Sequence, residues 1–375
     1  MNTEKKDVLH ICSYYYDTKL YKNLMDKLIE NKIKIDVFAP CCYNYNYNGD
    51  EAYLMQEKCF NKLDRLFFHY KYNKVYRHLD NKLDLKKYNL LHAHSLFSNG
   101  YIAYRVFKAY NIPYVVAVRN SDINAFFKYF IYLRKLGIEI LENAKAIIFI
   151  SNSYKDILFR KYIPKEKYEI INSKSYVIPN GIDDYYLENI SIEKKRENSR
   201  GLNLVYTGKI DENKNLITTI KCCNKILKNK YDVKLTVIGK ILSKRYKKII
   251  KNNNFVNYVG PKKMEEIIDI YKDMDIFVMP SKHETFGLTY VEAMSQGLPV
   301  IYTKNEGFDL FFEPGEVGYP INYNDYNAMG EKIELILDNY NIISNNCIKK
   351  SLDFNWNDLS NKYIEIYQQI ENIDA

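Results

Sequence analysis

Short apolar runs recur along the first half of the chain, with amphipathic stretches between them. They are "DVLHICS" (Asp7 to Ser13), "IKIDVFAP" (Ile33 to Pro40), "LLHAHS" (Leu90 to Ser95) and "IPYVVAV" (Ile112 to Val118). Continuous apolar runs of this length fit parallel strands covered on both faces. "AKAIIFISNS" (Ala144 to Ser153) and "SYVIPNGID" (Ser175 to Asp183) extend the series, each ending in turn-forming or helix-capping residues. The segment Tyr185 to Asn203 is polar and charged and reads as a linker with one short helix. A second series follows: "LNLVYTG" (Leu202 to Gly208), "VKLTVIG" (Val233 to Gly239), "NFVNYVG" (Asn254 to Gly260), "DIFVMPS" (Asp275 to Ser281) and "LPVIYT" (Leu298 to Thr303). The tail Trp356 to Ile373 has helical spacing of apolar residues and is the last element. Two strand-and-helix series in succession predict two Rossmann-like α/β domains, with ligands at the carboxyl ends of the strands.

The composition agrees with two domains. The chain has 375 residues, 47% of them hydrophobic, enough for two cores. No apolar run approaches the roughly 20 residues that span a bilayer, and Met1 to Lys6 is polar and charged where a signal peptide turns hydrophobic. A cytoplasmic protein is expected. The seven cysteines are odd in number and include no CxxC pair, which reads as reduced thiols. A net charge of +9 is compatible with a phosphate-bearing ligand, an anionic membrane surface or plain solubility. Nucleic acid is disfavoured, because the basic residues are dispersed and no recognised nucleic-acid motif is present.

Candidate chemistry concentrates in "HETFGLTYVEAMSQGLPVIYT", His283 to Thr303. If a helix begins near Leu288, its unpaired amides and dipole favour an anion such as phosphate beside Gly287. Glycine there removes a Cβ that would hold a ligand off the backbone. Glu284 and Glu292 could then accept hydrogen bonds at the two ends of a ligand, since eight helical residues span about 12 Å. The plain alternative is a solvated acidic helix start.

This stretch resembles the E-x7-E signature of retaining glycosyltransferases of family 4, whose GT-B fold sets two Rossmann-like doubly wound domains facing a cleft. "LVYTGKIDENKN" (Leu204 to Asn215) is similar to the family's segment of glycine, basic residue and, five positions later, lysine. "VIPNGID" resembles the interdomain crossover, "LHAHS" the acceptor-domain strand end and "DIFVMPS" the strand before the donor helix. Together these pieces cover almost the whole chain. The resemblance implies an acceptor domain over residues 1–184, joined by a C-terminal helix over 356–375 that crosses back to it, and a donor domain over 185–355. It further implies that Glu284 binds the donor-sugar hydroxyls and Glu292 the ribose. The amides of Phe286, Gly287 and Leu288 would contact the diphosphate or sugar, beside Gly208. Lys209 and Lys214 would neutralise charge on the leaving nucleotide, with no metal or other cofactor needed. Asp273 and Asp275 form a DxD by spacing alone, before a strand where the family has no metal site. Surface solvation is the alternative for the two lysines.

The N-terminal half departs from the family. "CSYYYDTKLY" (Cys12 to Tyr21) replaces a glycine-rich loop, leaving Tyr14, Tyr15 and Tyr16 either to stack on an acceptor sugar or to pack. "VRNSD" stands where His-Gly-x-Asp is common, so Arg119 takes the histidine position and can hold an oxyanion but not act as a base. Asp122 matches the family's acid, with the alternative of capping the segment that follows. His92 and His94 share one strand face; a metal pair lacks a visible third ligand, and a buried hydrogen-bonding histidine is the preferred reading. On the acceptor side the candidates are therefore His94, Asp122, Tyr14 and Asn180.

Phe60 to Lys82 and Asn124 to Gly137 mix aromatics with Lys and Arg, a composition that suits either an anionic membrane surface or packing. The surface reading would make the acceptor a lipid-linked saccharide, elongated on the inner face of the membrane during capsule or cell-surface polysaccharide synthesis. The donor is expected to be a UDP-sugar, with a GDP-sugar as the alternative. Competing readings are a GT-B-type sugar-nucleotide epimerase and a non-catalytic nucleotide-sugar-binding protein.

Overall fold

A computed structural model describes residues 7–43, 51–196 and 201–374. Met1 to Lys6 and residues 197–200 of the predicted linker lie outside the described residues. The chain divides into two compact units. One comprises residues 1–150, 154–179 and 356–375; the other comprises 151–153 and 180–355. The crossover thus falls at Pro179/Asn180, a few residues before the predicted boundary. Asn180, assigned above to the acceptor side, begins the C-terminal unit instead. Pro179, which has no backbone N–H to donate, is the last residue before the crossover.

In the N-terminal unit seven parallel strands are ordered β3-β2-β1-β4-β5-β6-β7: β1 (Asp7–Ile11), β2 (Lys34–Cys41), β3 (Leu54–Lys58), β4 (Leu90–Ala93), β5 (Tyr114–Val118), β6 (Ala146–Phe149) and β7 (Ser175–Val177). Alternate residues feed two cores. Leu9 and Ile11 join one with Phe38 and Val116; Val8 joins the other with Val37 and Val115. Trp356, Tyr363 and Tyr367 of the terminal helix Trp356–Asp374 complete that second core, so the tail folds back onto this unit. Burying each large aliphatic or aromatic side chain contributes about 1.5–3 kcal/mol.

The C-terminal unit holds six parallel strands in the order β10-β9-β8-β11-β12-β13: β8 (Gly201–Thr207), β9 (Asp232–Ile238), β10 (Val256–Gly260), β11 (Ile276–Val278), β12 (Val300–Thr303) and β13 (Gly318–Ile321). Two edge strands carry no long apolar run and escape the pattern reading. β3, "LMQEK", buries no residue fully, and β13, "GYPI", contains a proline tolerated at an edge. The predicted linker contains the helix Asp184–Glu188, capped by Asp183 onto the Tyr185 amide.

Strand order reverses between β1 and β4 in one sheet and between β8 and β11 in the other. In open parallel sheets the loops leaving such a pair of strands diverge and leave a crevice for ligand. Tyr14 and His94 follow β1 and β4, and Lys209, Lys214 and Glu284 follow β8 and β11.

Candidate active site

In the C-terminal unit the loops after β8 and β11 are laced together. Asp211 Oδ1 accepts from the amides of Asn213 (3.0 Å) and Lys214 (2.8 Å), folding the first loop into a tight turn. Asn213 then grips the second loop twice, donating to the His283 carbonyl (2.9 Å) and accepting from the His283 amide (3.1 Å). Asn215, in the left-handed region at φ 55°, donates to the carbonyls of Pro280 (2.9 Å) and Tyr323 (2.6 Å). This lacing brings Lys214 Nζ to 2.5 Å from Glu284 Oε2, which also accepts from Ser281 Oγ at 3.1 Å. Lys209 is exposed and makes no ion pair among the described residues.

The helix Leu288–Ser295 starts at Gly287, whose φ of +90° is accessible at low cost only to glycine. A Cβ there would also collide with the ring of Tyr290, so the glycine is required by the local fold as well as by any ligand. Its position corrects the predicted geometry: the helix covers only the second half of the interval between Glu284 and Glu292, and the first half is loop. The amides of Phe286, Gly287 and Leu288 donate to no acceptor among the described residues and remain available to an anion. The Phe286 ring, by contrast, is core, packed against Phe308 and Phe311.

The carboxyl of Glu292, on the first turns of that helix, takes no hydrogen bond or ion pair among the described residues. Burial, with a further contribution from Asp183, pushes its carboxyl up to about 7. A carboxylate held without a partner and poised near neutrality is a frequent mark of a binding or catalytic position.

Several residues that complete this half-site are not visible in the sequence pattern. Glu306 accepts from the Glu284 amide (2.8 Å) and faces His283 Nδ1 (3.3 Å), fixing the loop that carries Glu284. Gly307 follows it; a Cβ there would strike the Thr285 carbonyl. Glu306 three residues past an apolar strand is a weak signal that only the folded loop makes specific.

In the N-terminal unit the acceptor-side candidates cluster after β1, β4 and β5. Asp122 is buried, and its carboxylate accepts from the amides of Leu96 (3.0 Å), Phe97 (3.1 Å) and Arg119 (2.8 Å). It therefore tethers the loop that leads into the helix Ser98–Tyr110, where the sequence suggested a cap for its own following segment. Burial raises its carboxyl to about 6, against the pull of those amides and of Arg119. Arg119 Nε donates to the His94 carbonyl (3.0 Å), and its guanidinium lies 5.7 Å from the centre of the Tyr21 ring. Tyr14 lines a cavity, and burial pushes its phenol up to about 12. Tyr15 turns into the core and bonds Tyr53 at 2.9 Å, so the three tyrosines do not act as one stacking platform.

His94 is buried, and it has the third neighbour that the sequence did not show. Parallel pairing of β1 with β4 sets His10 opposite His92, and His10, His92 and His94 each place a nitrogen within 4.8 Å of the others. His10 Nδ1 meets His94 Nε2 at 3.0 Å, and His92 Nδ1 meets the Tyr367 hydroxyl at 2.6 Å. The rings of His92 and His94 stack at 4.3 Å with 25° between planes. Their lone pairs lie in the ring planes and run side by side, which suits a stack of neutral imidazoles better than convergent metal ligands. Burial pushes His10 down to about 3 and lowers His92 and His94 as well.

Comparison with known proteins adds an independent line. The family described as Glycosyltransferase Family 4 matches residues 19–185, and that described as Glycosyl transferases group 1 matches residues 188–353. The capsular polysaccharide biosynthesis glycosyltransferase CapM of Staphylococcus aureus is 30% identical over 56% of this chain and 57% of its own. An uncharacterized 41.2 kDa protein from the cps region of Klebsiella pneumoniae is 26% identical over 92% of this chain and 95% of its own. Among solved structures, sucrose-phosphate synthase from Thermosynechococcus elongatus superposes with a TM-score of 0.76 at 17% identity, covering 98% of this chain and 100% of its own. HepE from Anabaena in complex with UDP-glucose gives a TM-score of 0.67 at 15% identity, covering 98% and 99%. At these identities the structural likeness speaks for the fold alone, which is GT-B.

Proposed function

Since the chain belongs to the family 4 glycosyltransferases, with both halves matched and a GT-B fold, we propose that it transfers a sugar from a UDP-sugar to a saccharide acceptor with retention of configuration. The observation that carries this reading is the set of three unpaired amides, Phe286 to Leu288, flanked by Lys209, Lys214, Glu284 and Glu292 at the β8/β11 switch point. A diphosphate bound there meets the amides and the positive end of the helix dipole. Glu284 accepts from the sugar hydroxyls and Glu292 from the ribose diol. As the bond from the anomeric carbon to the phosphate oxygen breaks, the two lysines neutralise the charge growing on the leaving diphosphate, with no metal required.

The acceptor hydroxyl attacks from the face the phosphate leaves. Its proton passes to the departing phosphate oxygen, and the new glycosidic bond keeps the original configuration. Arg119 remains charged at neutral pH and holds a substrate oxygen without taking a proton.

The structural neighbour HepE was solved with UDP-glucose, and a UDP-sugar is the donor of this reading, with a GDP-sugar as the alternative. The likeness to CapM supports capsule or cell-surface polysaccharide as the product; the acceptor of this reading is a lipid-linked saccharide on the inner membrane face. Incubation with UDP- and GDP-sugars plus a polyprenyl-diphosphate saccharide, in chelator, tests this: proton NMR of the product should show the donor's anomeric configuration. An inverted product refutes retention, and conversion of the donor without acceptor points to an epimerase.

A further inference from the structure

The N-terminal unit contains a cavity of about 450 Å³ within the range of small-molecule sites, lined in part by Ser13 and Tyr14 on the loop leaving β1. Its lining includes Arg65 and Lys71 and, among the described residues, no acidic side chain. Lys71 Nζ donates to the Tyr72 hydroxyl (3.0 Å) and lies 4.2 Å from the centre of the Phe60 ring. Neither Lys71 nor Arg65 has a carboxylate within ion-pair distance among the described residues. The nearby Asp64 is occupied by Lys74 at 3.0 Å. Burial and the Arg65 charge push the Lys71 ammonium down to about 8, outweighing the opposing pull of Asp64.

The rim has the opposite character. Leu66 (74% exposed), Phe130 and Tyr132 (67%) line the cavity and face solvent, and Leu63, Phe67 and Ile131, their neighbours in sequence, are exposed as well. Lys62 and Lys128 are exposed within the same two segments. Large aliphatic and aromatic side chains gathered at the mouth of a cationic cavity are unusual on a soluble surface and mark a contact site.

We propose that this cavity seats the phosphate or diphosphate head of a polyisoprenoid-linked acceptor, with the isoprenoid chain running out over the Leu66/Phe130/Tyr132 rim into the bilayer. Three features select that occupant. The recessed Lys71 and Arg65 complement an anion, Leu66, Phe130 and Tyr132 line the same cavity, and Tyr14 in its lining, close to Asp122, puts the head beside the acceptor-side residues. A soluble phosphosugar has no use for the rim, and generic attraction to anionic lipid has no use for a recessed lysine. The proposal rests on the glycosyltransferase reading above and names its acceptor site.

The test is vesicle flotation of the full chain on phosphatidylcholine vesicles carrying polyprenyl diphosphate, and on vesicles carrying phosphatidylglycerol at matched surface charge. Stabilisation by UDP is measured in parallel on every variant. Wild type should prefer the diphosphate vesicles by about tenfold, the effect of one charge-assisted contact. Lys71→Ala should erase that preference and Lys71→Arg should restore part of it, with UDP stabilisation unchanged in both. The double variant Leu66→Ser/Phe130→Ser should lose vesicle binding yet still bind geranyl diphosphate in solution. Equal binding to both vesicle types, or a preference that survives Lys71→Ala, overturns the proposal. So does binding of soluble diphosphate with no vesicle binding by wild type. Failure of UDP to stabilise wild type would instead strike the donor reading, which the vesicle preference does not depend on.

Discussion

Lys214 Nζ stands 2.5 Å from Glu284 Oε2, joining the loops after β8 and β11 through two side chains assigned to different parts of the donor. Both are largely buried, at 22% and 10% side-chain exposure. Removing one partner leaves the other charge uncompensated. Lys214→Ala should therefore lower stability by about 3 kcal/mol as well as donor affinity, whereas the double variant Lys214→Met/Glu284→Gln should recover most of the stability and none of the activity. Urea unfolding of the three proteins separates the effects; a double variant as unstable as the single one would contradict the pairing.

The Glu292 carboxyl is raised to about 7 in the folded chain against 4.5 unfolded, so the folded state holds the extra proton between those values. Its contribution to stability is thus present at low pH and lost as pH rises through about 7. Glu292→Gln should stabilise the ligand-free protein at pH 8 and, by removing the ribose acceptor, weaken UDP binding about tenfold. Wild-type affinity for UDP should rise with pH through about 7 and the variant's should stay flat. Calorimetric titration from pH 6 to 8 checks both.

The buried histidine stack works in the other direction. His10 is lowered to about 3 from 6.5, so the unfolded chain binds the proton first as pH falls. Stability is intact above about 6.5 and declines below it, by up to about 1.4 kcal/mol per pH unit for each histidine. The single tryptophan, Trp356, lies in the core of this same unit and reports its unfolding by fluorescence. A urea midpoint unchanged between pH 7.5 and 5 would rule this out.

Gly287→Ala meets both a positive φ and the Tyr290 ring. It should cost about 1–3 kcal/mol and displace the helix start that presents the free amides. UDP binding should be lost even where the protein remains folded, as judged by circular dichroism; retained binding would place the anion elsewhere.

The donor loops are legible in the sequence because buried strands there read as apolar runs ending in glycine, and Gly208, Gly287 and the two acids fall at fixed distances from those ends. What stays hidden depends on which strands become neighbours. Nothing in "DVLHICS" shows that His10 will face His92, because β1 and β4 are about 80 residues apart in the chain and meet only by parallel pairing. The Asn213 clamp and the Glu306 support are hidden for the same reason, each bridging separate loops. Asp122 is found by its position but its job is not, since the amides it holds come from the loop after another strand. The edge strands β3 and β13 are missed because an edge needs no continuous apolar run.

The central claim is a nucleotide-diphosphate site at the β8/β11 switch point, and thermal shift tests it most directly. Wild type, Lys209→Ala and Glu292→Ala are scanned with UDP, GDP, ADP and CMP. A nucleotide at 100 times its Kd contributes about 2.7 kcal/mol, a readily measured rise in Tm. The account predicts that UDP raises the wild-type Tm and that both substitutions cut the rise, a tenfold weaker Kd removing about half of it. A wild type that no nucleotide stabilises, or variants that respond like wild type, would contradict it.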